Sequence, residues 1–395
     1  MSHHTQQHPN LRFATLLAMT MALGPFALDT YLPAFPAMAQ DLGCSVHEIS
    51  LSISVYVFVL AFGQLVAGPL SDRIGRANVM LSGLLIFAMA SALLTVVSTL
   101  PMLLLLRAVQ AFGAGWAIVC VPALVRDRLH GREAAKFFSL IGLIGVVAPA
   151  LAPSVGSTLL ARFAWPGIFV FLALYGLLMA LLLKRMVFVG GVGAASPQAH
   201  PMTLTARYGS VLVNRPALRF LFIQAFSFSV MLLFITHASF IYQQHFGATP
   251  GQFSLLFGAN MVVMLTVNIA NRKLLNHFTP QRILALGLLL QGAGLLALIL
   301  VTLFAPSLWL FLPAMMLTVG VMGAITPNTQ ACFMEYFTHN SGTAAALIGA
   351  AQFLFAGVIS AGSALLPGSV LVIVLCQAAC SAVCLLLLAM RQRSE

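Results

Sequence analysis

The chain has 395 residues, of which 61% are hydrophobic and only 7% charged, and its net charge is +11. A typical soluble domain is about 25% charged. The 27 charged side chains here (19 basic plus 8 acidic) cannot coat a soluble protein of this length, so a soluble fold is excluded and the chain reads as an integral membrane protein.

The apolar residues fall in long runs rather than short alternating segments, which predicts spanning helices and not barrel strands. A polar stretch, Met1 to Asn10, precedes the first run. That run is too long for a secretory signal and lacks a cleavage pattern before a polar mature chain, so it is expected to be the first helix. A spanning helix needs about 20 apolar residues. Twelve segments fit: 12–35, 47–70, 78–99, 101–125, 136–160, 166–186, 216–241, 251–271, 282–304, 307–329, 342–366 and 368–390. Most connections are short. The exception, 187–215, holds Gly190, Gly191, Gly193, Ser196, Pro197 and Pro201 and reads as a flexible linker. The expected organisation is therefore an N-terminal six-helix bundle over 1–186, a cytoplasmic linker over 187–215 and a C-terminal six-helix bundle over 216–395.

Basic residues orient the chain. With the N-terminus in the cytoplasm, 17 of the 19 Lys and Arg fall in cytoplasmic segments, Arg162 falls in an external loop, and Arg107 falls inside a span. This is a strong positive-inside pattern, and an odd error in the helix count would scramble it. Both termini are expected in the cytoplasm. The +11 charge is thus an orientation signal, with contact to anionic lipid as a corollary, and no nucleic-acid partner is expected.

Gly68-Pro69-Leu70-Ser71-Asp72-Arg73-Ile74-Gly75-Arg76 lies between spans two and three. It resembles the loop signature G-x-L-[AS]-D-[RK]-x-G-R of the major facilitator superfamily, with Ala77 where a further basic residue is usual. Leu28-Asp29-Thr30-Tyr31-Leu32-Pro33 resembles the D-x-Y-L-P element of the Bcr/CflA branch of twelve-helix drug:proton antiporters. Arg107-Ala108-Val109-Gln110 resembles the R-x-x-Q element of proton-coupled members, with Ala111 replacing the usual Gly. Gly142, Gly145, Pro149, Pro153 and Gly156 resemble a variant of the span-five antiporter signature, without its adjacent Gly-Pro and Gly-Gly pairs. Thr326-Pro327-Asn328 and Gly342-Thr343-Ala344-Ala345-Ala346-Leu347 are similar to the same branch. The resemblance covers nearly the whole chain. It implies an all-α integral membrane protein of the major facilitator fold, working by alternating access as a bacterial inner-membrane exporter of small molecules driven by protons.

Charges inside spans cost several kcal/mol and usually face an interior cavity. Of the eight acids only Asp29 lies in the interior of a span, away from its first and last few residues, and of the bases only Arg107. Each sits six residues from the outer end of its span, about 9 Å at 1.5 Å per residue. The resemblance implies that spans one and four meet at the central cavity. Three readings of Asp29 and Arg107 stay open: a protonation switch, since burial and a nearby Arg act oppositely on a carboxyl; a static ion pair fixing helix packing; and an Asp29 close enough to the interface to be solvated.

In the loop signature, Gly68, Asp72, Arg73, Gly75 and Arg76 lie near Asp127 at the inner end of span four if the family arrangement holds. Gly75 permits a tight turn. The resemblance implies that Asp72 docks on the N-terminus of span eleven, near Asn340-Ser341-Gly342, and latches the two halves in the outward-open state. A helix N-terminus favours a carboxylate. Ordinary positive-inside decoration is the other reading.

The remaining polar side chains in the spans are amides and hydroxyls, among them Tyr31, Gln64, Gln110, Gln224, Asn260, Asn268, Gln330 and Gln352; Tyr31, Gln110, Gln224 and the span-seven His237 are the candidate cavity residues. With 29 Phe and 18 Met the cavity can be soft and aromatic. That suits neutral or amphipathic drugs, of the chloramphenicol or bicyclomycin kind, better than phosphorylated metabolites. A proton-coupled transporter of a nucleobase or sugar shares the same fold and coupling residues and is the alternative. Cys376, Cys380 and Cys384 share a face of span twelve and read as small packing residues; no metal site and no cofactor are expected. No P-loop, hydrolytic triad or loop large enough for a catalytic domain is present, which argues against an ATP-driven pump or an enzyme. A monomer is expected, with small molecules, protons and the bilayer as partners.

Overall fold

The computed structural model describes residues 11–128, 131–189, 209, 211–337 and 341–390; among them the chain forms helices and short connections and no strand. In chain order these are α1 (Leu11–Asp29), α2 (Phe35–Leu42), α3 (Val46–Ile74), α4 (Arg76–Leu94), α5 (Leu100–Arg128), α6 (Gly131–Phe163), α7 (Pro166–Met186), α8 (Arg215–Ser239), α9 (Pro250–Leu274), α10 (Pro280–Phe304), α11 (Leu308–Gly320), α12 (Met322–Met334), α13 (Ser341–Ser363) and α14 (Val370–Ala389). Eleven stretches are long and apolar enough to cross a membrane; α1 with α2 makes one of them, Phe13–Leu42, and α11 with α12 another, Leu308–Met334. The 33-residue α6 takes the place of the expected fifth span. Together the described helices correspond to the twelve segments expected. Most of the expected linker, residues 190–208 and 210, lies outside the described residues.

Two spans differ from the uninterrupted helices expected. The first breaks after Asp29 into a short 3-10 turn, Leu32–Ala34, before α2 begins. Pro33 explains the break: it has no N–H to donate and its ring clashes with the carbonyl four residues back, that of Asp29. Pro36 falls in the first turn of α2, where a proline is tolerated. Helical structure continues to Leu42 rather than ending near Phe35, so Asp29 lies deeper in the bundle than its distance from Phe35 suggested. The tenth span is likewise divided, at Val321.

Helix starts follow local chemistry. Ser45 and Glu48 form a reciprocal capping box at the head of α3, and Thr249 and Gln252 do the same for α9 with Pro250 at its first position. Between α3 and α4 a single residue, Gly75, turns the chain at φ 94° and ψ 142°. A side chain there would be strained, so the glycine of the loop signature has a backbone reason to be present.

Helices from the first six spans meet those from the last six at one end of the bundle, the end that carries the 43–45 and 364–369 connections. Ser54 on α3 donates to Ser360 on α13 at 2.8 Å, and His47 on α3 bonds the Ala364 carbonyl at 3.0 Å. Ser254 on α9 donates to the Pro153 carbonyl of α6 at 2.8 Å. Thr236 on α8 and Ser360 share a hydrogen bond of 2.8 Å. These small hydroxyl contacts bring the helix backbones close together, a packing mode typical of membrane bundles.

Candidate functional site

At the break after α1, Asp29 is 2% exposed and Arg107 fully buried. Arg107 reaches from α5 to α1, where its guanidinium donates to the Ala27 carbonyl at 3.0 Å. It also donates to Gln110, one turn along α5. Gln110 is fixed in turn by donating to Ser91 of α4 at 2.7 Å. The guanidinium carbon lies 4.3 Å from the ring centroids of both Tyr31 and Tyr56, so two aromatic faces clamp the charge. Tyr31 is held by Ser52 of α3 at 2.7 Å.

The expected proximity of spans one and four is therefore found, but the hydrogen bonds of Arg107 go to Ala27 and Gln110 rather than to Asp29. Asp29 Oδ1 is buried without a hydrogen-bond partner, as are Arg107 Nε and the Tyr56 hydroxyl. Buried polar atoms are overwhelmingly paired, so such a cluster stands out. Burial also removes the solvated reading of Asp29.

The antiporter-like residues of α6 have distinct surroundings. A Cβ on Gly156 would lie 1.7 Å from the Thr30 carbonyl oxygen, so α6 presses its backbone against the residue that follows Asp29. Pro153 supplies the carbonyl bonded by Ser254. Pro149 lies within the helix and is buried, and Gly145 faces a cavity. Gly142 lies on the same helix.

That cavity, about 290 Å³, lies between Gly145 of α6 and α8, α9, α12 and α13, on the side of the contacts between the halves that faces the basic end of the bundle. Its walls are Phe228, Met231, Met264 and Met322, with Asn268, Thr326, Gln330 and Gln352 as polar groups, and among the described residues none that lines it carries a formal charge. Gln224 does not line it but donates to Gln352 across α8 and α13 at 2.7 Å. Tyr31 and Gln110 belong to the Arg107 cluster, and His237 is fully buried in the contacts at the far end. Gln352, Asn268 and Gln330 were visible in the sequence as amides in spans, yet nothing in their spacing marked them as wall residues. Tyr56 and Ser52 were missed altogether; their one-turn separation on the face of span two toward Arg107 was the available signal.

In the loop signature Arg73 is exposed, the Gly68 carbonyl accepts from Ser71 at 2.7 Å, and Arg76 begins α4. The side chains of Asp72 and Asp127 lie outside the described residues.

Residues 17–361 match the family model described as Major Facilitator Superfamily. The chain belongs to the major facilitator superfamily. It is accordingly a transporter of small molecules in a membrane, not an enzyme. It is 30% identical over 363 residues to an MFS-type transporter of Bacillus subtilis, YdgK, covering 91% of this chain and 90% of that one. It is 28% identical to the bicyclomycin resistance protein homolog of Haemophilus influenzae, over 90% and 89% of the two chains. Identity to the multidrug resistance protein MdtL of Klebsiella pneumoniae is 30%, over 86% and 85%. Among solved structures, a peptide transporter in complex with sulfate superposes with TM-score 0.78 at 15% identity, covering 99% of this chain and 96% of that one. A nucleoside transporter superposes with TM-score 0.75 at 12% identity, over 96% and 99%. This superfamily transporter shares its fold with both.

Proposed function

We propose that this transporter exports neutral or amphipathic drug-like compounds across the bacterial inner membrane in exchange for protons, as a monomer with both termini in the cytoplasm and two six-helix halves joined by the 187–215 linker. The observation that carries the coupling is Asp29, a carboxyl buried at a helix break with Oδ1 lacking any hydrogen bond. Burying an unpaired charge is costly, and a proton relieves the cost. Arg107, clamped one step away on the Ala27 carbonyl, supplies the opposing influence. A small rotation of α1 about its break changes the balance between the two and loads or releases the proton.

The charge-free cavity supports the substrate class, because a phosphorylated metabolite would call for several basic side chains in its walls. The names of the resistance-protein relatives point the same way. With the basic end of the bundle in the cytoplasm, the closed contacts lie outside and the cavity lies toward the cytoplasm, as needed to take up an internal substrate. One proton per cycle is sufficient: at roughly 150 mV it supplies about 3.5 kcal/mol, a several-hundred-fold gradient of neutral substrate at about 1.4 kcal/mol per tenfold.

The test is pH-gradient-driven flux in proteoliposomes. Asp29→Asn is expected to abolish proton-driven export and retain substrate binding, since an amide stands in for the protonated acid. Coupled flux at the wild-type level from that variant would overturn the assignment. A drug-resistance panel beside labelled nucleobase and sugar uptake separates drug export from metabolite transport.

A further inference from the structure

At the closed end of the bundle two histidines from different halves of the chain stack face to face. The rings of His47 (α3) and His237 (α8) lie 5.2 Å apart at an interplanar angle of 16°. Their hydrogen bonds fix their tautomers. His47 Nε2 lies 3.0 Å from the Ala364 carbonyl, which only accepts, so this nitrogen carries the proton. His237 Nε2 lies 2.9 Å from Ser363 Oγ, whose single proton is already given to the Ser360 carbonyl at 2.7 Å. His237 Nε2 therefore donates as well. Each ring is left with a bare lone pair on Nδ1, and both Nδ1 atoms are buried without a partner.

We propose that this pair is a second proton-binding site, one that couples external acidity to the opening of the outer seal. It rests on the orientation given above. Either Nδ1 can accept a proton without breaking a hydrogen bond of the seal. The result is an imidazolium stacked on a neighbouring ring in the interior, and two protons would set like charges face to face. Burying such charge is unfavourable, so protonation shifts the equilibrium toward the state in which the rings are hydrated and the halves are apart. Little nearby offsets it. On α3 the charged neighbour is Glu48, whose carboxylate is held by Ser45 in the capping box. The groups packed on the pair from the turn after α8, from α13 and from the connection before α14 are Phe240, Ser360, Ser363, Ala364 and Gly368, none of which titrates. Histidine is the side chain suited to this task, because its charge changes between about pH 5 and about pH 8.

The test uses the full chain in nanodiscs, with spin labels at Gln40→Cys and Gln244→Cys, both exposed and on opposite sides of the seal. The partly exposed Cys44 and Cys376 are first changed to Ala. Pulsed electron–electron distances are then read across the histidine range. The longer-distance population is expected to rise at least about twofold from about pH 8 to about pH 5, and a rise should persist in Asp29→Asn, where any contribution of that acid is absent. The double variant His47→Gln/His237→Gln keeps an amide donor in place of each Nε2–H but has no basic nitrogen, and should hold the short distance at every pH. If it does not insert, each single variant should show a diminished rise. A wild type that does not respond, a response lost in Asp29→Asn, or an undiminished response in the glutamine variants each overturns the proposal. The readout is a distance, so a failed flux assay would count against export alone and a failed distance shift against this site alone.

Discussion

Arg107 of α5 binds the backbone of α1 at Ala27, 3.0 Å away, two residues before the buried Asp29. The guanidinium thus holds the helix that carries the acid rather than the acid itself. A direct ion pair would make deprotonated Asp29 the settled state of this conformation. Anchoring through Ala27 sets the spacing of the helices without a hydrogen bond from the guanidinium to the carboxyl.

This geometry sets the expected order of Arg107 variants. Arg107→Lys keeps a charge but cannot hold Ala27 and Gln110 together and lie flat between two tyrosines. Losing one charge-assisted hydrogen bond costs about 1.5–3 kcal/mol, so coupled flux should fall by about tenfold or more. Arg107→Ala should fall further. Proteoliposome flux at matched insertion checks the order; equal flux from the Lys variant and wild type would show that only the charge matters.

Gly156→Ala should damage the site from a helix that contributes no polar side chain to it. The new methyl would lie 1.7 Å from the Thr30 carbonyl oxygen, against backbone that cannot swing away. Overpacking of this kind costs about 1–3 kcal/mol, and relief requires α6 to move off the α1 break. A lowered Tm in detergent together with reduced export is expected. A variant with wild-type Tm and flux would mean that the contact is easily relaxed.

The architecture was legible in the sequence because hydropathy and the loop signature are each local signals. The helix count and the positions of Asp29, Arg107 and Gly75 needed no tertiary information. The break after Asp29 was signalled by Pro33 and Pro36, but apolar residues run through it and hydropathy does not register a change of helix axis. The partners of Arg107 were not legible: Ala27 acts through its carbonyl, which every residue has, and Tyr56 lies in a different span. His47 carries no signal of its own in the sequence, since its partner His237 is 190 positions away.

Orientation is open to a direct check. A cysteine placed in the 187–215 linker should be protected from impermeant thiol reagents in intact spheroplasts and should react after permeabilisation. The expectation rests on 17 of 19 basic residues falling on that side. Labelling in intact cells would reverse the topology, and with it the assignment of the closed seal to the outside.

Gln352 should set which compounds are carried. Its side-chain oxygen accepts from Gln224 at 2.7 Å and the residue lines the cavity, so its NH2 is the group expected to meet a substrate. A neutral substrate with a carbonyl or ether oxygen can accept from it. Gln352→Ala removes one neutral hydrogen bond, about 0.5–1.5 kcal/mol, so such compounds should bind about two- to tenfold more weakly while purely apolar ones are little changed. Gln352→Glu makes the sharper test. The new carboxylate can still accept from Gln224, so the α8–α13 contact survives, but it places a negative charge in a cavity whose described lining has none. Lipophilic cations should then gain at the expense of neutral compounds. Paired measurements of resistance to a neutral antibiotic and efflux of a cationic dye read the change. If both shift together, Gln352 acts only on packing; if they move in opposite directions, the absence of charge in this wall is what selects the substrate.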